Sequence, residues 1–198
     1  VTSRVIGEVM QVAVEADPKK YDNYLKQMGR CLGKLHKIQT KKYGFFDNKL
    51  AKKRIIIGTL NSNKDHFLSA LDLDEEFYDK NPGWFESDDI KNAINLLKAK
   101  ADIAECDTPT LIHNDIADWN TIVKGDDVAG ILDWDECISG DPVFEFATMS
   151  LFYTDEQMNI IKSGYVETND LPSDYEKKFD LYVLRYIVNK SKISIKKL

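Results

Sequence analysis

From Tyr21 the apolar residues Tyr21, Tyr24, Leu25, Met28, Leu32, Leu35 and Ile38 recur at three- and four-residue steps. That spacing gathers them on one face of a helix, so the pattern predicts an amphipathic helix running to about Gly44. Asp17-Pro18 would open it, with a capping side chain and a proline at the first helical position. Gly29 and Gly33 lie inside it, each costing roughly 1 kcal/mol relative to alanine, and close packing against another element is the expected compensation. Upstream, residues 9–14 are β-branched and partly alternating, which predicts a strand or extended segment. Downstream, residues 65–78 and 87–103 carry helical spacing, divided by the breaker "NPGW" at 81–84.

The texture then changes. "TLIH", "NTIVK" and "VAGILDW" are short β-rich runs, and the turn "GDD" at 125–127 joins the last two as a hairpin. Beyond "SGDP" the chain returns to predicted helices over 144–152, 155–166 and 172–189, followed by the basic tail "KSKISIKKL". Tyr175, Phe179, Tyr182 and Tyr186 form a core stripe at helical spacing. His36 is expected to pack near the core, and His66 to sit on an exposed helix face. The fold class is therefore α+β and mostly helical, with one small β-hairpin about two-thirds along the chain. Polar residues with chemical potential concentrate at that hairpin.

Composition narrows the function more than the fold. The 198 residues suit one domain, and 43% hydrophobic content supplies a core. No apolar run reaches the ~20 residues needed to span a bilayer, and no signal peptide opens the chain. Three cysteines, Cys31, Cys106 and Cys137, lack metal-type spacing and predict free thiols in a reducing, cytoplasmic setting. A net charge of −6 argues against nucleic acid as the main partner and is compatible with a cationic small substrate.

The chemistry lies in "LIHNDIADWNTIV" and the "GILDWDE" that follows. Phosphoryl transfer from a nucleotide needs a carboxylate to orient or deprotonate the attacking hydroxyl, and hard oxygen ligands for Mg2+. Protein kinases meet this with an aspartate, an asparagine five residues later, and a metal-binding aspartate after a hairpin. Asp115, Asn120 and Asp133 follow that order and spacing. Asp133 also stands between Leu132 and Trp134, and a carboxylate inside a buried strand would be costly without a role.

"LIHNDIADWNTIV…GILDWDECISGDPVFEFA" resembles the aminoglycoside phosphotransferase and choline kinase-like family, whose pattern is approximately "HGDxxxxN…IDWE…GDPxxDLA". "LGKLHKI", "YGFF" and "VIGEVM" extend the resemblance over most of the chain. The resemblance implies residues 1–198 as the C-terminal lobe of a protein kinase-like fold, with no N-terminal nucleotide-binding lobe ahead of Val1. It implies Asp115 as the catalytic base or hydroxyl-orienting group. Asn120 and Asp133 would be the cofactor-binding Mg2+ ligands, and ATP or GTP the phosphoryl donor. His113 and Asp141 would brace the loop, with Asp141 also capping the helix that opens at Pro142. The acceptor would be a hydroxyl on a small molecule, with Asp155 and Glu156 available to a cationic amine. Without the upper lobe, turnover by this piece alone is not expected. The alternative is a non-catalytic, truncated kinase-like binding module.

Three departures stand out. Asn114 replaces the family's usual glycine, Asp118-Trp119 replaces its Pro-Gly, and "EFA" at 145–147 replaces "DLA". None removes a catalytic side chain, but Trp119 could reshape the loop facing the substrate.

Overall fold

A computed structural model describes residues 4–81 and 87–195. Strand β1 (Glu8–Val9) runs directly into helix α1 (Met10–Ala16). The extended segment expected over 9–14 is thus mostly helix. Met10 and Ala13, three residues apart, are both buried, so tertiary packing of one helical face outweighs β-branched propensity. Asp17 accepts a hydrogen bond from Lys19 N and caps a short 3-10 turn at Pro18–Lys20, after which α2 (Tyr21–Leu35) begins. This helix stops well before Gly44 because the next residues are drawn into a sheet.

Strand β2 (Tyr43–Phe46) is followed by a single-turn helix α3 (Asn48–Ala51), strand β3 (Gly58–Leu60) and helix α4 (Asn63–Lys80). Ser62 caps α4 through the Asp65 amide. The "NPGW" breaker after it falls largely outside the described residues. Helix α5 (Ser87–Ala99) leads through a 3-10 turn at Ala101–Ala104 to strand β4 (Thr110–Ile112). The predicted hairpin is β5 (Thr121–Lys124) and β6 (Asp127–Ile131), with Lys124 opposite Asp127. Gly125, at φ 65°, takes the first turn position, where a tight hairpin requires positive φ. Strand β7 (Ile138–Gly140) then precedes α6 (Pro142–Met149), α7 (Asp155–Tyr165) and α8 (Tyr175–Ile195).

The described strands form two antiparallel sheets, β1-β5-β6 and β3-β2-β7-β4. The second was not visible in the alternation pattern, because its strands are short and pair across long sequence separations. It sets β4 beside β7, Ile112 opposite Ile138, so that the chain leaves the sheet into the His113 loop next to the segment entering β7.

Helices α2 and α7 cross at backbone contact. A methyl group at Gly29 would lie 1.9 Å from the Ile161 carbonyl oxygen, and one at Gly164 would lie 1.9 Å from that of Lys26. The compensation expected for glycine inside α2 is therefore this crossing. Tyr24, Leu25, Met28 and Leu32 are all but fully buried beside it. No described helix is long and apolar enough to cross a membrane.

Candidate active site

The loop between β4 and β5 is held by buried groups at almost every step. Glu145, fully buried on α6, accepts hydrogen bonds from two successive amides: His113 N to Oε2 at 2.7 Å and Asn114 N to Oε1 at 2.8 Å. His113 is also fully buried. Its Nε2 lies 2.8 Å from the Leu132 carbonyl oxygen, and its Nδ1 receives the Asp115 amide at 3.3 Å. That pairing places the ring hydrogen on Nε2. The Trp134 ring meets the imidazole edge-on at 4.5 Å.

Further along, Asn120 Nδ2 donates to Asp115 twice, to the backbone oxygen and to Oδ2, both at 2.8 Å. With the amide nitrogen committed to Asp115, the Asn120 side-chain oxygen points the other way. The Asn120 carbonyl accepts the Leu132 amide at 2.8 Å. Leu132 is thus anchored by both of its backbone groups, its N–H to Asn120 and its C=O to His113. Asp133 is the next residue.

Asp133 is exposed and lies beyond the end of β6, with Leu132 and Trp134 exposed beside it. This corrects the expectation of a buried strand: the hairpin ends at Ile131, and the chain then bends through Asp133 at φ 60°. Asn114 sits at φ 68°. Asparagine and aspartate tolerate left-handed backbone better than most residues, which accounts for asparagine at a position where glycine is usual.

Asp141 stands at the start of α6, where a capping residue was expected. It does cap α6, accepting the Val143 amide at 3.0 Å. Its other oxygen meets Lys178 Nζ at 2.6 Å and the Tyr182 hydroxyl at 3.1 Å. The loop amides go to Glu145 instead, one turn further along the same helix. Asp118 is a second brace that the sequence did not single out. Its carboxylate accepts from Tyr21 and Tyr153, each at 2.7 Å. Burial, and then Asp118 itself, raise both phenols well above their ordinary range, so each remains a donor. Only the conspicuous acids at 118 and 145 could have signalled these roles. Trp119 and Phe152, both about half exposed, meet edge-on at 5.4 Å beside this brace.

A cavity of about 130 Å³ opens beside the loop, lined by Asn114, Glu136, Asp141, His66 and Tyr186 among others. His66, expected on an exposed face, is partly buried there, and its ring meets Phe45 edge-on. Burial, and then the Arg185 charge, push its pKa down to about 4. Tyr186 is pushed up to about 12 by burial first and then by the charges of Asp115 and Glu136. Asp155 and Glu156 occupy the first turn of α7 and do not line this cavity.

Among the described residues no cluster of three or more His, Cys, Asp or Glu side chains could hold a metal ion. The three cysteines are free, and burial raises each thiol, Cys106 to about 12. A family model described as the phosphotransferase enzyme family (APH) matches residues 1–177. The chain belongs to this phosphotransferase family. No curated protein sequence matches it.

Solved structures share the fold. A thermostable mutant of aminoglycoside phosphotransferase APH(4)-Ia, in its apo form, superposes with TM-score 0.71 at 17% identity, covering 98% of this chain and 64% of that one. The gentamicin–APH(2")-IIa complex gives 0.63 at 19%, covering 98% and 62%. Macrolide 2'-phosphotransferase MphH from Brachybacterium faecium gives 0.59 at 14%, covering 89% and 56%. A thermostable APH(4)-Ia mutant is also known as a ternary complex with AMP-PNP and hygromycin B, matching with TM-score 0.71 at 17% identity, 98% of this chain and 64% of that one. This phosphotransferase chain therefore spans less than two-thirds of the length of each of these structures, and at such identities the likeness is one of fold.

Proposed function

We propose that this chain is the catalytic C-terminal lobe of a phosphotransferase that moves the γ-phosphoryl group of ATP or GTP to a hydroxyl of a small molecule. The observation that carries the reading is the bond between the Asn120 amide and the Asp115 carboxylate. It lies in a loop whose other end is clamped by Glu145 and whose asparagine carbonyl also anchors the neighbour of Asp133. The pair holds the carboxylate in a fixed direction, as an incoming hydroxyl requires.

Asp115 would take the hydroxyl proton as the acceptor oxygen bonds to the γ-phosphorus. The bond from that phosphorus to the β–γ bridging oxygen breaks, and the nucleoside diphosphate leaves with the electron pair. Such a step gains from a divalent cation that neutralises charge on the phosphates. The donor set fits Mg2+, which is commonly held by one or two protein oxygens plus substrate phosphates. Asp133 and the Asn120 amide oxygen are hard ligands of that kind, which is why no larger acidic cluster is needed. His113 would keep its bracing part by fixing Leu132, and Asp141 would support the helix from which Glu145 reaches the loop. The acceptor would enter the cavity beside Asn114 and Glu136. The nucleotide-binding structure of APH(4)-Ia supports the donor assignment by analogy of fold.

The test is ADP release from Mg2+-ATP by the complete gene product over a panel of hydroxyl compounds. Asp115→Asn is expected to lower the rate by about 100-fold or more while leaving the circular dichroism spectrum unchanged. An unaltered rate would remove Asp115 from this role.

A further inference from the structure

The walls of the cavity beside Asn114 carry charge of both signs. Its lining holds two acids, Glu136 and Asp141, against two bases, Arg185 and Lys190. The deep charges are already engaged within the protein. Asp141 is paired with buried Lys178 at 2.6 Å, and Arg185 with fully buried Asp74 at 2.9 Å. At the outer wall Lys190 Nζ lies over the Tyr186 ring, 5.1 Å from its centroid. His66 is uncharged at neutral pH, since burial and Arg185 hold its pKa near 4. The exposed charges that remain in the lining, Glu136 and Lys190, are opposite in sign, so a polycation entering here would meet no excess of negative charge from the walls. The remaining surface is largely aromatic, with Phe45, Phe144, Tyr182 and Tyr186 around the space. Such walls suit the flat or apolar face of a ring.

A second observation is independent of charge. Asn114 Oδ1 is buried without a hydrogen-bond partner, while its Nδ2 is tethered to the Glu136 carbonyl at 3.2 Å. A buried acceptor left unmatched is unfavourable, and a ligand donor would relieve it. The residue lines the cavity and immediately precedes Asp115. A donor reaching it would belong to a group next to the hydroxyl presented to Asp115.

We propose that this cavity selects a compact, uncharged, ring-bearing alcohol, and that Asn114 determines specificity by accepting a hydrogen bond from a donor beside the reacting hydroxyl. The inference rests on the phosphotransferase reading only in taking the cavity as the acceptor side of Asp115. Binding can be measured without nucleotide, so the two can fail separately. An Asp115→Asn variant with full transfer activity would sink the parent reading and leave the ligand preference standing.

The experiment is calorimetric titration of the 198-residue chain with a phenyl glucoside, the corresponding phenyl glucosaminide and gentamicin, with Tyr186 ring-proton shifts locating the ligand. The neutral glucoside is expected to bind at least tenfold more tightly than either cationic compound. Asn114→Gly, which the left-handed backbone accommodates, should weaken the glucoside by about 5- to 10-fold, the worth of one hydrogen bond. Equal or tighter binding of a cationic compound would overturn the proposal. So would undetectable binding of the glucoside, or an affinity untouched by Asn114→Gly.

Discussion

The two halves of the candidate centre are held in opposite ways. Residues 113–120 are fastened by side chains of other elements, Glu145 on two amides and Tyr21 and Tyr153 on Asp118, and from within by the Asn120 amide on Asp115. Residues 132–136 are exposed, and Leu132 anchors them at their start. A carboxylate that must aim at a hydroxyl gains from a rigid seat. One that must meet a hydrated cation gains from access to water, because Mg2+ keeps part of its shell. Under the proposed roles, Asp115 has the rigid seat and Asp133 the access to water.

That contrast can be broken in graded steps. Glu145→Ala strands two loop amides, one buried and one partly buried, and should cost about 3 kcal/mol of stability in urea denaturation; a loss below 1 kcal/mol would mean the loop is held by something else. His113→Leu removes one of the two Leu132 anchors and should cost about 2 kcal/mol, and limited proteolysis should then cut within 132–136 faster than in the parent. For Tyr153→Phe, which leaves Asp118 one phenol, the expected loss is about 1 kcal/mol by thermal melting. The exposed half gives the smallest effect on folding. Asp133→Asn should stay within about 0.5 kcal/mol, since asparagine also accepts the left-handed backbone. Yet it should raise the Mg2+ concentration needed for nucleotide binding by about tenfold or more. A large loss of stability there would erase the difference between the halves.

The parts of the fold legible in the sequence were those governed by local repetition. Helices α2, α4, α5, α7 and α8 follow from the spacing of their apolar residues, and the β5–β6 hairpin from alternation around Gly125. Their ends were less legible. Nothing local says that Tyr43 leaves a helix-like pattern to pair with β3 and β7, because that decision is made by strands 17 and more than 90 residues away. The candidate site divides likewise. Asp115, Asn120 and Asp133 share one short stretch, so their order could be read as a unit. Glu145 and Asp118 act across long separations through side chains, and a lone acid in a sequence does not disclose its partner. His66 was misplaced for the same reason: the faces of α4 cannot be ranked without knowing that α8 and Phe45 close over one of them.

The crossing of α2 and α7 has a consequence for how this protein can drift. Tyr21 is the first residue of α2, and Tyr153 lies just ahead of α7, so the two phenols on Asp118 span the helices near one end of their contact. Added bulk at Gly29 or Gly164 would have to part the backbones, widening the gap that Asp118 bridges. A single methyl group at the crossing would be felt in the loop that carries Asp115.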